Sequence, residues 1–295
     1  MSDYAIVVDS TTDLPPSLAE KLGVFVIPYI FTLDGKEYYN HLDYRDISVK
    51  DFYNTLRAGK KGQTTQVTPA RYVEEWEPHL KEGKDILYMC LSSQLSKSYE
   101  MSMLAAAEMK EKYPDRKIVS IDSKAASVGQ ALLAFYASKA KEEGKSLDEN
   151  AVYVNNLVKK LQHWVMADDL HHLRRGGRVS GASAFVGTML SIKPILTMLE
   201  DGRLVPLHKV RGRAKALDYF MEKMDEYKFD KTFDTVFISH SDVPDLANEL
   251  REKVAAKFGN VNFVISDIGP VIGSHTGPGT IALIFMGEKE RAKGN

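Results

Sequence analysis

Apolar residues fall in short runs separated by stretches of helical spacing, and this alternation continues along most of the chain. Residues 4–8 predict a strand, and Pro15 and Pro16 suit the first turn of a helix that stops at Gly23. Residues 24–33 predict a second strand, ended by an Asp34-Gly35 turn. Ser48 and Asp51 open a helix that Gly59 and Gly62 close, because a serine hydroxyl satisfies a free amide of the first turn. Residues 85–91 form a near-continuous apolar run, the pattern of a strand buried on both faces. Met101, Leu104, Ala105 and Met109 then recur at helical spacing, residues 117–122 predict a strand, and 127–143 and 148–163 predict helices. The alternation predicts a parallel sheet with helices on its faces.

The second half reads differently. Residues 192–199 and 204–210, joined at Asp201-Gly202, predict an antiparallel hairpin. A helix over 213–224, a strand over 235–239, a helix over 243–257 and strands over 261–265 and 280–286 follow. The expected organisation is an N-terminal α/β domain over residues 1–165 and a C-terminal mixed α/β domain over 166–288. No Pro/Gly/Ser-rich linker separates them, so the two should pack closely. There is no internal repeat.

Composition narrows the function. With 295 residues, 44% hydrophobic and 27% charged, the chain is ordinary for a globular protein. A formal net charge of -1 gives no overall field to attract nucleic acid or an anionic membrane. The single cysteine, Cys90, excludes an intrachain disulfide, lies in an apolar run and reads as a small buried hydrophobe. No metal-ligand spacing and no P-loop are visible, and no apolar run approaches the ~20 residues of a membrane helix. With no secretory signal legible, the expected location is the cytoplasm.

The candidate chemistry is concentrated in three segments read as loops. Gln63-Thr64-Thr65-Gln66-Val67-Thr68-Pro69 holds more hydroxyls than a helix cap needs; Thr68 suits the cap, and Thr64 lies too far upstream. Leu91-Ser92-Ser93-Gln94-Leu95-Ser96-Lys97-Ser98-Tyr99 follows a buried strand and opens a helix, where free amides serve a bound anion as well as a cap. Residues 269–280 carry four glycines around His275, which hydroxyls flank on both sides. Two basic segments, one at Arg174, Arg175 and Arg178 and one at Lys209, Arg211 and Arg213, suit either a solvated face or an oxyanion clamp.

Together and in this order, Asp9-Ser10-Thr11, the 64–69 and 91–99 segments, Gly176-Gly177-Arg178, Val210-Arg211 and the 272–279 segment resemble the DegV family over nearly the whole chain. The resemblance implies a two-domain α/β fold with a long-chain fatty acid in a cleft between the domains and no other cofactor. It also implies service, in some members, as the lipid-carrying subunit that presents the acid to an ATP-binding kinase partner for acyl-phosphate formation. By matched position, Thr64 and Ser96 should bind the carboxylate, with Thr65 and Ser93 beside them. Arg178, Arg211 and His275 should support the head group or phosphoryl transfer. Two positions depart from the family pattern, which has proline at Val67 and glycine at Lys97. The tail would need an apolar tunnel, for which residues 26–31, 185–190 and 195–199 and Met166, Met189 and Met198 are candidates. These expectations describe a binding protein without catalytic residues or metal, and with at most transient membrane contact. The alternatives are a serine hydrolase using Ser96 or Ser93 with His275, for which no Gly-x-Ser-x-Gly elbow is present, and a regulatory lipid-binding module without a kinase role.

Overall fold

The structure is a computed structural model that describes residues 3–168, 170–180 and 191–294. The chain alternates strand and helix around two principal sheets. In the first, β1 (Tyr4–Asp9) lies between β2 (Val24–Ile27) and β6 (Asp85–Cys90), with β7 (Ile118–Asp122) at the edge, and all neighbours are parallel. β1 and β6 are buried along their whole length because helices cover both faces, which is why they read as continuous apolar runs.

One predicted strand is two. Residues 24–33 break at Pro28, which lacks the N–H that a ladder requires. Beyond it, β3 (Tyr29–Leu33) leaves the parallel sheet and pairs antiparallel with β4 (Lys36–Asn40) and β5 (Gly62–Thr64).

The second sheet has six strands, ordered β10-β9-β8-β13-β11-β12. They are β8 (Leu161–Met166), β9 (Ile192–Met198), β10 (Leu204–Arg211), β11 (Thr235–His240), β12 (Asn262–Asp267) and β13 (Ile281–Met286). The expected antiparallel hairpin is present as β9–β10. The helix expected over 148–163 is corrected: α6 (Leu147–Lys160) ends at Lys160, and the next residues form β8. β8 sits between β9 and β13, so its polar Gln162 and His163 are buried along with Trp164.

α5 (Val128–Glu142) joins the two sheets. Its Ala131, Leu132, Leu133 and Ala134 pack in one core cluster with Ile6, Val8 and Met89 of the first sheet and Phe237, Ile284 and Met286 of the second. A helix clasped from both sides is apolar around most of its circumference rather than amphipathic. The methyl that Gly129 lacks would lie 2.0 Å from the His163 ring, so glycine lets the helix close onto β8.

The segment over 269–280, expected as a flexible loop, contains the short helix α10 (Pro270–Thr276). Pro270 occupies its first turn, where the missing N–H costs nothing. Gly273 packs against Phe52 and Tyr53 of α2 (Val49–Arg57), where a methyl would come within 2.5 Å of the Tyr53 hydroxyl. Close packing therefore offsets the poor helix propensity of this glycine-rich stretch.

Candidate functional site

A cavity of about 380 Å³ opens beyond the carboxyl end of β6, where the first sheet faces α10 and α7 (His171–Gly176). Crevices outside the carboxyl ends of parallel strands are the usual ligand sites of open α/β sheets. Its walls mix hydroxyls with apolar surface from Leu91, Leu95, Leu173, Leu204, Val271 and Ile272. Of the residues expected at a head group, Thr64, Thr65, Ser93, Ser96, Arg178 and His275 line it together. Arg211 does not: it is exposed at the end of β10, in register with Ile192.

Ser96 precedes α4 (Ser98–Lys112), whose start has no side-chain cap. Its Oγ lies 2.9 Å from Ser98 Oγ and accepts the Ser98 N–H at 3.2 Å. Ser98 is fully buried and accepts from the Tyr29 hydroxyl at 2.6 Å and from the Val67 N–H at 3.1 Å. Ser96 is thus backed by Ser98, and Tyr29, which also lines the cavity, stands beside both hydroxyls. Burial holds the Tyr29 hydroxyl well above its ordinary pKa, so it stays a donor.

Thr64 stands at the end of β5, and its Oγ1 is 2.8 Å from His275 Nε2. A histidine in such a segment can carry a proton near neutral pH. Burial, together with the nearby Arg178 and Arg175 charges, instead pushes its pKa down to about 4, so the ring is neutral there. Its Nδ1 is buried, faces Gly176 and has no hydrogen-bond partner among the described residues. The tautomer that leaves a bare lone pair there, rather than an unmade N–H, places the proton on Nε2. Nε2–H then donates to Thr64 and leaves the Thr64 hydroxyl proton for the cavity.

The second-rank hydroxyls are already committed. Ser93 donates to Asp122 Oδ2 at 2.6 Å, and its N–H binds the same carboxylate at 3.1 Å. Thr65 donates to the Ile30 carbonyl at 3.3 Å. Arg178 anchors its guanidinium on the Leu95 and Gly176 carbonyls at the rim. Lys97 points outward, 75% exposed, with its ammonium 3.9 Å from Glu100.

Tyr29 and Ser98 were missed as site residues. Ser98 belonged to the four-serine run, whereas Tyr29 was legible only as an inward position of a strand. Of the tunnel candidates, residues 185–190, including Met189, lie outside the described residues. Ile195, Leu196, Met166 and Met198 are buried in the packing of the second sheet and do not line the described cavity. Cys90 is fully buried, with its thiol pushed well above the ordinary range. Among the described residues, no cluster of three or more His, Cys, Asp or Glu could hold a metal, and no helix is long and apolar enough to cross a membrane.

The fold and this site place the chain among two-sheet α/β proteins with a hydroxyl-lined cavity between the sheets. A family model described as "Uncharacterised protein, DegV family" matches residues 3–288. The DegV domain-containing protein CPE0026 of Clostridium perfringens (strain 13 / Type A) is 40% identical over 288 residues, covering 98% of this chain and 99% of that protein. Among solved structures, a DegV family protein from Thermus thermophilus, described for its fatty acid binding, superposes with a TM-score of 0.86 at 30% identity, covering 97% of this chain and 99% of that one. DegV from Bacillus subtilis, described as a fatty acid binding protein, gives a TM-score of 0.83 at 27% identity, covering 98% and 100%. The chain belongs to the DegV family.

Proposed function

We propose that the protein binds a long-chain fatty acid in this cavity by its carboxylate and presents the acid to an ATP-binding kinase subunit that forms the acyl phosphate. The observation that carries the reading is the convergence of Thr64 and Ser96, from separate elements, on one cavity with apolar walls. A desolvated carboxylate needs donors, and here two neutral hydroxyls supply them while Arg178 stands at the rim. Each buried methylene of the tail adds about 0.8 kcal/mol, an upper figure before the entropy cost of binding. The fatty-acid binding described for the Thermus thermophilus and Bacillus subtilis relatives supports the same ligand class.

On this reading Thr64 and Ser96 hold the carboxylate, and Thr65 and Ser93 shape the wall. Arg178 and His275 attend the head group, and Arg211 serves the docked partner from outside the cavity. The working unit is two lobes, residues 1–165 and 166–288, that meet at α5, with β8 (Leu161–Met166) at the division pairing into the sheet of the second. The protein works in the cytoplasm and touches the membrane only transiently. The hydrolase alternative lacks support in the geometry, since His275 is hydrogen-bonded to Thr64 rather than to Ser96 or Ser93, and Ser93 is held by Asp122.

Mass spectrometry of organic extracts from purified protein, followed by titration of the delipidated protein with long-chain acids, tests the ligand. Absence of any acyl chain, with no binding afterwards, overturns the reading. Incubation with an ATP-dependent acyl kinase and detection of acyl phosphate tests the partner role.

A further inference from the structure

The carboxyl group of Asp13 reaches two walls of the cavity from behind and does not itself line it. Asp13 closes the turn Ser10–Thr12 after β1 in the left-handed region, with φ 51° and ψ 31°, and is fully buried. Its Oδ1 accepts the N–H of Gly269 at 2.9 Å, and Gly269 caps the start of α10. A methyl on Gly269 would lie 2.8 Å from that oxygen, so glycine lets the two meet. Val271, Ile272, His275 and Thr276 of α10 face the cavity. The other oxygen, Oδ2, lies 2.5 Å from Ser127 Oγ. Ser127 follows Ala126, which lines the cavity, and precedes the first turn of α5.

Both partners of this carboxyl need an anchor. Ser127 has φ 53° and ψ -141°, a conformation that residues with a side chain rarely adopt and that persists only where the surroundings hold it. Its hydroxyl is held by Asp13 and stands 3.2 Å from Ser239 Oγ. α10 has no side-chain cap of its own. The Asp13 backbone is fixed in turn by the Ser266 hydroxyl, which donates to its carbonyl.

We infer that Asp13 is a positioning residue for the acid-binding cavity: one buried carboxyl ties the turn that carries Ala126 to the start of α10, and so sets the spacing of two walls and the seat of His275 beside Thr64. The inference rests on the fatty-acid reading above and deepens it. The tie belongs to one protonation state. Burial pushes the Asp13 pKa up to about 8, and Asp267 and Asp9 add repulsion. The titratable groups around it are Asp9 of β1, Tyr44 and Tyr53 at α2, and Asp267 of β12, with His240 and Asp242 beyond Asp267. The one cation in this set, Arg57, is paired with Asp242, and burial keeps His240 neutral above pH 6.5. Once ionised, the carboxylate has two acidic neighbours and no free cation in this set, so it must draw in water or move, and either pulls Gly269 or Ser127 out of register. Palmitate therefore binds more tightly to the protein whose Asp13 is neutral.

The test uses full-length, delipidated protein and displacement of a fluorescent polyene fatty acid by palmitate between about pH 6.5 and pH 9. Asp13→Ala cuts both ties and should weaken palmitate about tenfold at the low end of that range. Asp13→Asn keeps the left-handed backbone, an acceptor for Gly269 and a polar atom beside Ser127, and should restore the affinity to within about twofold of wild type there. Read as the ratio of wild type to Asp13→Asn, so that ionisation of palmitate itself cancels, the affinity should then fall about five- to tenfold by about pH 9. Thermal melting of each variant at each pH reports folding. Should either Asp13 variant fail to fold, Ser127→Ala, which cuts one tie, decides in its place with an expected loss of about threefold.

A ratio that stays flat across the range would show that Asp13 supports only the fold. So would variants that melt earlier and bind palmitate as wild type does; either result overturns the inference. Failure of the wild-type protein to bind palmitate at any pH overturns the functional proposal instead. Wild-type binding with a flat ratio leaves that proposal standing without the tie.

Discussion

Thr64 and Ser96 are each held by a neighbour, His275 Nε2 at 2.8 Å from one hydroxyl and Ser98 Oγ at 2.9 Å from the other. A hydrogen bond to a charged acceptor contributes about 1.5–3 kcal/mol. Combining Thr64→Val with Ser96→Ala should therefore weaken palmitate binding by more than about tenfold in a displacement titration, with the melting temperature close to that of wild type. His275→Ala acts indirectly. It frees Thr64 to rotate without removing it, so the same titration should give a loss of about threefold, smaller than that of Thr64→Val alone. The neutral state of His275 also has a stability consequence. The unfolded chain takes up this proton near pH 6.5 and the folded chain only near pH 4, so its contribution is intact above pH 6.5 and is lost as the pH falls toward 4.

At the scale of elements, the parallel strands and the β9–β10 hairpin were legible because their apolar runs are bounded by glycine, proline and polar turns. β8 was not, because Gln162 and His163 interrupt its apolar run and the helical spacing of α6 leads straight into it; only the second sheet, which buries both its faces, makes it a strand. α10 was hidden by the glycines in and around it, of which Gly273 packs on Phe52 and Tyr53 of α2, remote in sequence. The head-group hydroxyls were legible as an ordered set, but the groups behind them were not, since Ser98 meets Tyr29 and the Val67 N–H across separate elements. Gly273 tests the α10 contact directly. A methyl there would lie 2.5 Å from Tyr53 Oη and 2.8 Å from Phe52 Cε1. Gly273→Ala should lower the unfolding free energy by about 1–3 kcal/mol in urea titration, although alanine is the better helix former.

At the scale of the molecule, the two sheets are joined by buried polar groups as well as by α5, and Asp13 stands at the centre of that joint. It accepts the Gly269 N–H at 2.9 Å, just ahead of α10, and lies 2.5 Å from the Ser127 hydroxyl, which in turn is 3.2 Å from Ser239 of β11. Its carboxyl is completely buried, and desolvation outweighs the two hydrogen bonds, with Asp267 and Asp9 adding repulsion, so its pKa is pushed up to about 8. At neutral pH the folded protein therefore holds Asp13 as a neutral acid, while the unfolded chain has released that proton near pH 3.8. The sign follows: a proton bound by the folded state alone stabilises fully below the unfolded value, and the benefit is lost as the pH rises toward 8, at up to about 1.4 kcal/mol per pH unit. His275 titrates in the opposite sense but is silent above pH 6.5, so the interval from 6.5 to 8 is free of it. Asp13→Asn keeps an acceptor for Gly269 and offers an N–H to Ser127 without a titrating proton. Its stability should match wild type within about 1 kcal/mol near pH 5 and exceed it increasingly from pH 6.5 to 8. Urea unfolding of both proteins across that range checks the claim, and parallel curves would show that Asp13 is ionised in the folded joint.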